Sequence, residues 1–143
     1  MLLGEYTHNL DTKGRVAVPA KFRDAVLGGA IITRGLDNCL FVFTQKEWQT
    51  LAEKLMALPL AQANSRAFVR LMLAGAMDVN LDNQGRILIP DYLRQYAGLK
   101  KEVIVAGLYN RMEIWDAEDW KKYKQKTESA SEEIAEKLGE LGI

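Results

Sequence analysis

The sequence predicts an α+β fold built from two copies of one module, and two repeats in the sequence carry that prediction. The segment NLDTKGRVAVP at residues 9–19 returns 71 residues later as NLDNQGRILIP at residues 80–90. A longer stretch, residues 32–48, matches residues 104–120 at an offset of 72. Self-similarity at a nearly fixed spacing indicates a repeated structural unit. Because each copy carries both strand and helix signals, each should form the same small α+β module.

The size of the chain indicates that the two copies depend on each other. The chain has 143 residues, which is about the length of one ordinary domain. Each copy has only about 50 residues, which is too few to bury a large core alone. The copies should therefore pack on each other or on copies from other chains.

A tight turn begins each copy. Asp11-Thr12-Lys13-Gly14 has the pattern of a type I turn, with Asp first and Gly last. Gly14 can take the positive φ that a hairpin with a bulge requires, and Asp11 can accept hydrogen bonds from the backbone of its own turn. Asp82-Asn83-Gln84-Gly85 repeats the pattern, so Asp82 and Gly85 should support the second turn in the same way. The strands expected on either side of the two turns are 6–10, 15–18, 77–81 and 86–89.

A short helix and a second hairpin should follow each turn. Proline stops each outgoing strand, and proline is favoured in the first turn of a helix. Glycine is favoured where a helix ends. The expected helices are 20–26 and 91–97, the glycines that end them are Gly28, Gly29 and Gly98, and the expected hairpin turns are 35–38 and 107–110.

Longer helices should complete each copy and connect the two. Residues 44–47 fit a helix capping box, and Asp116 should cap the matching helix of the second copy. A helix over 60–74 should connect the copies after an interruption at Pro59. The predicted organisation is a first module over 1–58, a connecting helix over 59–76, a second module over 77–125 and a C-terminal amphipathic helix or tail over 126–143.

This order of elements resembles the swapped-hairpin barrels of the AbrB/SpoVT class of bacterial DNA-binding proteins. With two copies in one chain, and an Asp-x-x-x-Arg motif in each at 11–15 and 82–86, the chain is similar to the MraZ family of bacterial regulators of the division and cell-wall gene cluster. The resemblance spans nearly the whole chain, and the tandem repetition makes it specific. It implies one small pseudo-symmetric β-barrel per chain with surrounding helices, a ring oligomer such as an octamer or dodecamer, and DNA contact by the hairpin tips.

The hairpin tips are the candidate DNA-binding sites. Lys13 suits a phosphate as a point charge, and Arg15 can bind guanine O6 and N7 as a fork. In the second copy Arg86 keeps that option, but Gln84 stands where the first copy has the lysine. We therefore expect the two copies to contact DNA unequally. The residues expected to widen the basic face of the first copy are Lys21, Arg23 and Arg34.

Two alternatives remain open at this point. Each arginine could simply pair with the aspartate of its own turn and stabilise the hairpin. The chain could also be a non-enzymatic oligomeric scaffold or an antitoxin-like interaction module, which a formal net charge of zero and a slightly acidic second half favour somewhat. The favoured function is a sequence-specific DNA-binding regulator that reads direct repeats in double-stranded promoter DNA through an oligomeric ring.

Composition and motifs argue against catalysis. His8 is the only histidine and Cys39 the only cysteine, which is too few for a zinc site or a nucleophile paired with histidine. There is no phosphate loop of the Walker type and no dinucleotide fingerprint. We therefore expect no enzymatic activity, cofactor, metal or small-molecule substrate. No apolar run approaches the length of a membrane span, no signal peptide is evident, and the lone cysteine fits a reducing compartment. The expected location is the cytoplasm, in association with the nucleoid.

Overall fold

The two copies of the module are joined by one large sheet. The computed structural model describes residues 1–142. Six strands form an antiparallel sheet in the order β1-β7-β8-β4-β3-β5, and β2 and β6 form a separate two-stranded ribbon. The eight strands are β1 (Leu2–Asn9), β2 (Arg15–Ala17), β3 (Ala30–Arg34), β4 (Leu40–Thr44), β5 (Met77–Val79), β6 (Arg86–Leu88), β7 (Glu102–Tyr109) and β8 (Met112–Asp116).

Helices follow the strands in much the expected order. They are a 3-10 helix (Ala20–Val26), α1 (Gln45–Met56), α2 (Ala63–Val69) with a π-helical continuation (Arg70–Ala74), α3 (Asp91–Tyr96), α4 (Ala117–Ser129), α5 (Ser131–Leu138) and a final 3-10 turn (Gly139–Leu141). The helix cap predicted at Thr44 is present, since the Thr44 hydroxyl accepts a hydrogen bond from the Glu47 N–H at 3.2 Å. Among residues 1–142, no helix has both the length and the apolar character needed to cross a membrane.

The copies exchange their first strands. β1 of the first copy pairs with β7 of the second, and β5 of the second copy pairs with β3 of the first. The pair β4–β8 joins the two halves in the middle of the sheet. The predicted pairing of the strands on either side of each first turn is therefore wrong, although the turns themselves form. The second hairpins, β3–β4 and β7–β8, pair as expected. Exchange gives each strand a partner from the other copy, which suits modules too small to fold alone.

The strands of residues 1–142 form an open sheet and a ribbon rather than the closed barrel that was expected. The inner face of the ribbon packs on the sheet and on the short helices in one core. Pro19 and Pro90 follow shortly after the ribbon strands, and proline has no N–H with which to extend a ladder. The fully buried members of this core include Phe22, Ile32, Leu40, Val42, Ile89, Leu93, Val103 and Ile114.

Asp116 occupies the N-cap position before α4, but its side chain makes no capping hydrogen bond, contrary to the prediction. Its carboxylate is 2% exposed and accepts a hydrogen bond from the Lys100 backbone N–H at 3.1 Å. The Lys100 ammonium lies 3.4 Å from the same carboxylate. Asp116 therefore stabilises the loop that precedes β7, through its contacts with Lys100, instead of capping the helix that follows β8.

Candidate functional site

The outer face of the β2–β6 ribbon carries two arginines. In the antiparallel register Arg15 lies opposite Leu88, and Ala17 lies opposite Arg86. The alternate residues of both strands are buried in the core, so these four side chains share the face that looks away from it. Arg15 and Arg86 are diagonal neighbours, a relation that places Cα atoms about 7–8 Å apart. The ribbon thus brings together one arginine from each copy.

Asp11 organises the first turn. Its Oδ1 accepts hydrogen bonds from the backbone N–H groups of Lys13 and Arg15, both at 2.9 Å. Its Oδ2 accepts from Arg15 Nε at 2.6 Å. The backbone N–H of Arg15, with smaller contributions from the Arg15 side chain and the Lys13 N–H, lowers the pKa of Asp11 to about 2. Gly14 completes the turn with a φ of +83°, which favours glycine.

Asp82 organises the second turn through the same bonds. Its Oδ1 accepts from the backbone N–H groups of Gln84 and Arg86, and its Oδ2 accepts from Arg86 Nε, all at 2.9 Å. The backbone N–H of Arg86 is the main cause that lowers the pKa of Asp82. Gly85 has a φ of +74°.

The two ribbon arginines differ in their carboxylate partners. Arg86 pairs with Asp82 and also lies 3.6 Å from Asp11 of the other copy. Arg15 pairs with Asp11 alone. The hydrogen bonds of the Arg15 side chain within residues 1–142 all pass through Nε. The terminal nitrogens of its guanidinium are therefore left to donate to another molecule.

Each turn is covered by an arginine from the other copy. Arg94 donates to the Ile89 carbonyl at 2.8 Å, and its guanidinium occupies the space that a Cβ at Gly14 would fill. Arg23 donates to the Val18 carbonyl at 2.9 Å, and a Cβ at Gly85 would lie 2.6 Å from its guanidinium carbon. Glycine is thus required at both positions for two reasons, because it adopts the positive φ and because it leaves room for the arginine.

The remaining candidate residues do not form one continuous basic face in the structure. Lys13 and Gln84 are exposed at the tips of the two turns. Arg23 lies against the second turn rather than beside the first, and Lys21 is exposed on the 3-10 helix, with no hydrogen bond or ion pair to either turn in the described chain. Arg34 lies over the rings of two tyrosines of α3 at 6.0 Å each and donates to the Leu71 carbonyl at 3.3 Å, so its contacts are not with either turn.

Sequence reasoning missed Arg94 and Leu88. Arg94 occupies the position in the second copy that Arg23 occupies in the first, so the repeat itself was the available signal. Leu88 is 54% exposed on the outer face of the ribbon, opposite Arg15. The available signal was strand alternation, which predicts that Leu88 points away from its buried neighbours Ile87 and Ile89.

This geometry offers a two-stranded antiparallel ribbon with donor groups on its outer face and a hydrogen-bonded turn at each end. Paired acceptors of the kind found on a nucleic-acid base edge or a phosphate match a guanidinium that is fixed through its Nε. Among residues 1–142, no group of three or more metal-binding side chains comes together.

Comparison with known proteins agrees with the tandem organisation. The family described as "MraZ protein, putative antitoxin-like" matches this chain twice, over residues 1–71 and 72–140. A protein of Carboxydothermus hydrogenoformans named transcriptional regulator MraZ is 51% identical over 138 residues, which cover 96% of each chain. Proteins of the same name from Natranaerobius thermophilus and Caldanaerobacter subterraneus are 50% and 49% identical over the full length of both chains. The resemblance noted in the sequence is thus confirmed, and the chain belongs to the MraZ family.

Proposed function

We propose that the protein is a sequence-specific DNA-binding transcriptional regulator whose β2–β6 ribbon enters the major groove. The observation that carries the proposal is the common outer face of Arg15 and Arg86, framed by two rigid turns. Relatives at about half identity over the full length are named transcriptional regulators, which supports the same function.

The dimensions of the ribbon suit base readout. The major groove is about 12 Å wide and admits a two-stranded ribbon. Diagonal neighbours about 7–8 Å apart are separated by roughly two base-pair steps of about 3.4 Å. Arg15 and Arg86 can therefore address guanines two steps apart, and Leu88, which is exposed opposite Arg15, can contact a thymine methyl group.

The two ends of the ribbon should contribute unequally. The first turn presents Lys13 beside Arg15, which has one carboxylate partner. The second turn presents the uncharged Gln84 beside Arg86, which faces two carboxylates. Because a cation shared between two carboxylates is less available to a phosphate or a base edge, the first turn should supply more of the binding free energy.

One ribbon makes too few contacts for tight binding, so we propose a homo-oligomeric ring. Non-specific DNA affinity is about 10⁻⁴–10⁻⁶ M at physiological salt, and linking several sites raises avidity by about 10²–10⁴. A ring built by head-to-tail contacts presents the same ribbon in the same sense around its rim. It should therefore read direct repeats about one helical turn apart. The proposed target is promoter DNA of the division and cell-wall gene cluster, bound in the cytoplasm at the nucleoid.

The test is a titration of three duplexes, which carry one repeat, two repeats at the native spacing, and two repeats with about five extra base pairs, or roughly half a helical turn, between them. The duplex with the native spacing should bind most tightly, the longer spacer should remove most of the gain, and binding should weaken steeply as salt rises. Equal affinity for one repeat and for the native array would exclude the ring mechanism. Absence of binding at both low and moderate salt would exclude DNA binding and favour the scaffold or antitoxin-like alternative.

A further inference from the structure

A concavity with three cations among its eight lining residues lies beside the first turn. Its volume is about 640 Å³. One wall comes from Asp11, Thr12 and Gly14 of the turn itself. The other wall comes from the second copy, namely Arg94, Lys100 and Lys101. These three cations lie outside the outer face of the ribbon.

Backbone bonds fix the lysine-bearing loop against the turn. The carbonyl of Lys101 accepts a hydrogen bond from the Leu10 N–H at 2.8 Å, directly before the turn begins. The buried Asp116 binds the backbone N–H of Lys100. The loop is therefore anchored at two consecutive residues, and its lysines are held beside the first turn rather than left on a free segment.

Lys101 supplies the uncompensated charge of the concavity. Arg94 has a carboxylate partner in Asp91 at 3.3 Å, and Lys100 has one in Asp116 at 3.4 Å. Within residues 1–142, Lys101 makes no ion pair within 4 Å. The one acid on the wall, Asp11, already accepts three hydrogen bonds from its own turn. An anion that enters therefore meets one ammonium group that makes no ion pair within 4 Å.

Within residues 1–142, the loop of the first copy that corresponds to the lysine-bearing loop is shorter and differs in sequence. The second copy connects α3 to β7 by residues 97–101, whereas the first copy connects its 3-10 helix to β3 by residues 27–29, which are Leu-Gly-Gly. The shorter loop carries no cation. Gly29 has a φ of +100°, and a Cβ there would lie 2.9 Å from the side-chain oxygen of Asn80, just before the second turn. A lysine at that position would be strained as well as crowded.

We propose that this concavity binds a phosphate of the DNA backbone, with Lys101 as its principal contact. The inference rests on the proposed DNA-binding function and extends it. Phosphate contacts fix the register of a protein on the duplex without reading sequence. The anchor at the first turn orients the ribbon, while Arg15 and Arg86 address the bases. This phosphate contact is a second reason why the two turns should contribute unequally to binding. It is independent of the difference between Lys13 in the first turn and Gln84 in the second.

The test compares Lys101→Ala with Lys46→Ala in the full-length chain. Lys46 is an exposed lysine on α1 whose side chain makes no hydrogen bond or ion pair in the described chain, so the two variants lose the same charge. Affinity for a duplex with two native repeats and for an unrelated duplex is measured by fluorescence anisotropy over a range of salt. Loss of one phosphate contact should reduce the slope of log K against log salt by about 0.9, which corresponds to a roughly five- to tenfold loss at about 0.1 M salt.

Lys101→Ala should lower the affinity for both duplexes by the same factor, and Lys46→Ala should leave both affinities unchanged. Lys101→Arg should retain most of the affinity and the wild-type salt slope. If Lys101→Ala binds as the wild type does, or weakens only the duplex with native repeats, the phosphate site is wrong while the proposed function stands. If the wild type binds neither duplex at any salt, the proposed function fails and the phosphate site with it.

Discussion

Replacement of Gly14 by alanine should destabilise the fold by about 2–4 kcal/mol. The φ of Gly14 is +83°, and a left-handed conformation costs a residue with a side chain about 1–2 kcal/mol. The added Cβ would also overlap the Arg94 guanidinium and displace it from the Ile89 carbonyl, which it contacts at 2.8 Å. Loss of a hydrogen bond from a charged donor costs about 1.5–3 kcal/mol, and the lower end applies because Arg94 is partly exposed.

The matched control is Gly98→Ala. Gly98 has a φ of +59°, but a Cβ there meets no atom within 4 Å, so only the backbone cost of about 1–2 kcal/mol should appear. Urea denaturation at one protein concentration measures both variants, and a repeat of Gly14→Ala in an Arg94→Ala background isolates the clash. The Gly14 substitution should cost less in that background. Equal costs for Gly14→Ala and Gly98→Ala would refute the role given to the arginine.

Asp11, Asp116 and Cys39 are each expected to show a measurable effect of their surroundings. The pKa of Asp11 is lowered to about 2 from an ordinary 3.8, so its ionised carboxylate should stabilise the fold fully above about pH 4 and lose that effect as the pH falls toward 2. Asp11→Asn lacks this titration. Its denaturation midpoint should therefore fall less over this pH range than that of the wild type. Asp116→Ala should cost about 1–3 kcal/mol in urea denaturation, since it removes the acceptor of the Lys100 N–H, while Asp116→Asn should cost less because it keeps an acceptor oxygen. Cys39 is fully buried, and this burial raises the pKa of its thiol, with smaller contributions from the nearby Glu113 and Asp37. A thiol reagent should therefore label Cys39 slowly in the native protein and rapidly in urea. Fast labelling of the native protein would contradict the packing.

Local features of the fold could be predicted from the sequence because short segments determine them. The two first turns follow from an aspartate, a glycine and their spacing, and the capping of α1 follows from Thr44 and the N–H three residues later. The second hairpins likewise pair neighbours in the chain. In each case the residues that decide the structure lie within a few positions of one another.

Partners distant in sequence were not predictable in the same way. The alternation of residues in β1 indicates a strand, but it does not say that β7, about a hundred residues away, is its neighbour. For the same reason the aspartate at 116 was expected to cap the helix beside it, whereas the structure pairs it with the loop at Lys100. The coverage of each turn by an arginine of the other copy also depends on the exchange of strands. The candidate site was therefore predicted at its turns and ribbon arginines, but not at Leu88, Arg94 or Lys101.

The most direct test of the central claim is a DNA titration of wild type, Arg15→Ala and Arg86→Ala at one salt concentration, with the melting temperature of each variant recorded. Both arginines pair at the surface with aspartates, and such pairs contribute only about 0–1 kcal/mol to stability, so all three proteins should remain folded. A forked arginine–guanine contact contributes about 1–3 kcal/mol of discrimination. We expect Arg15→Ala to lose roughly five- to 150-fold in affinity for the native repeats and Arg86→Ala to lose less. Wild-type affinity in a folded Arg15→Ala variant would contradict DNA recognition by the ribbon.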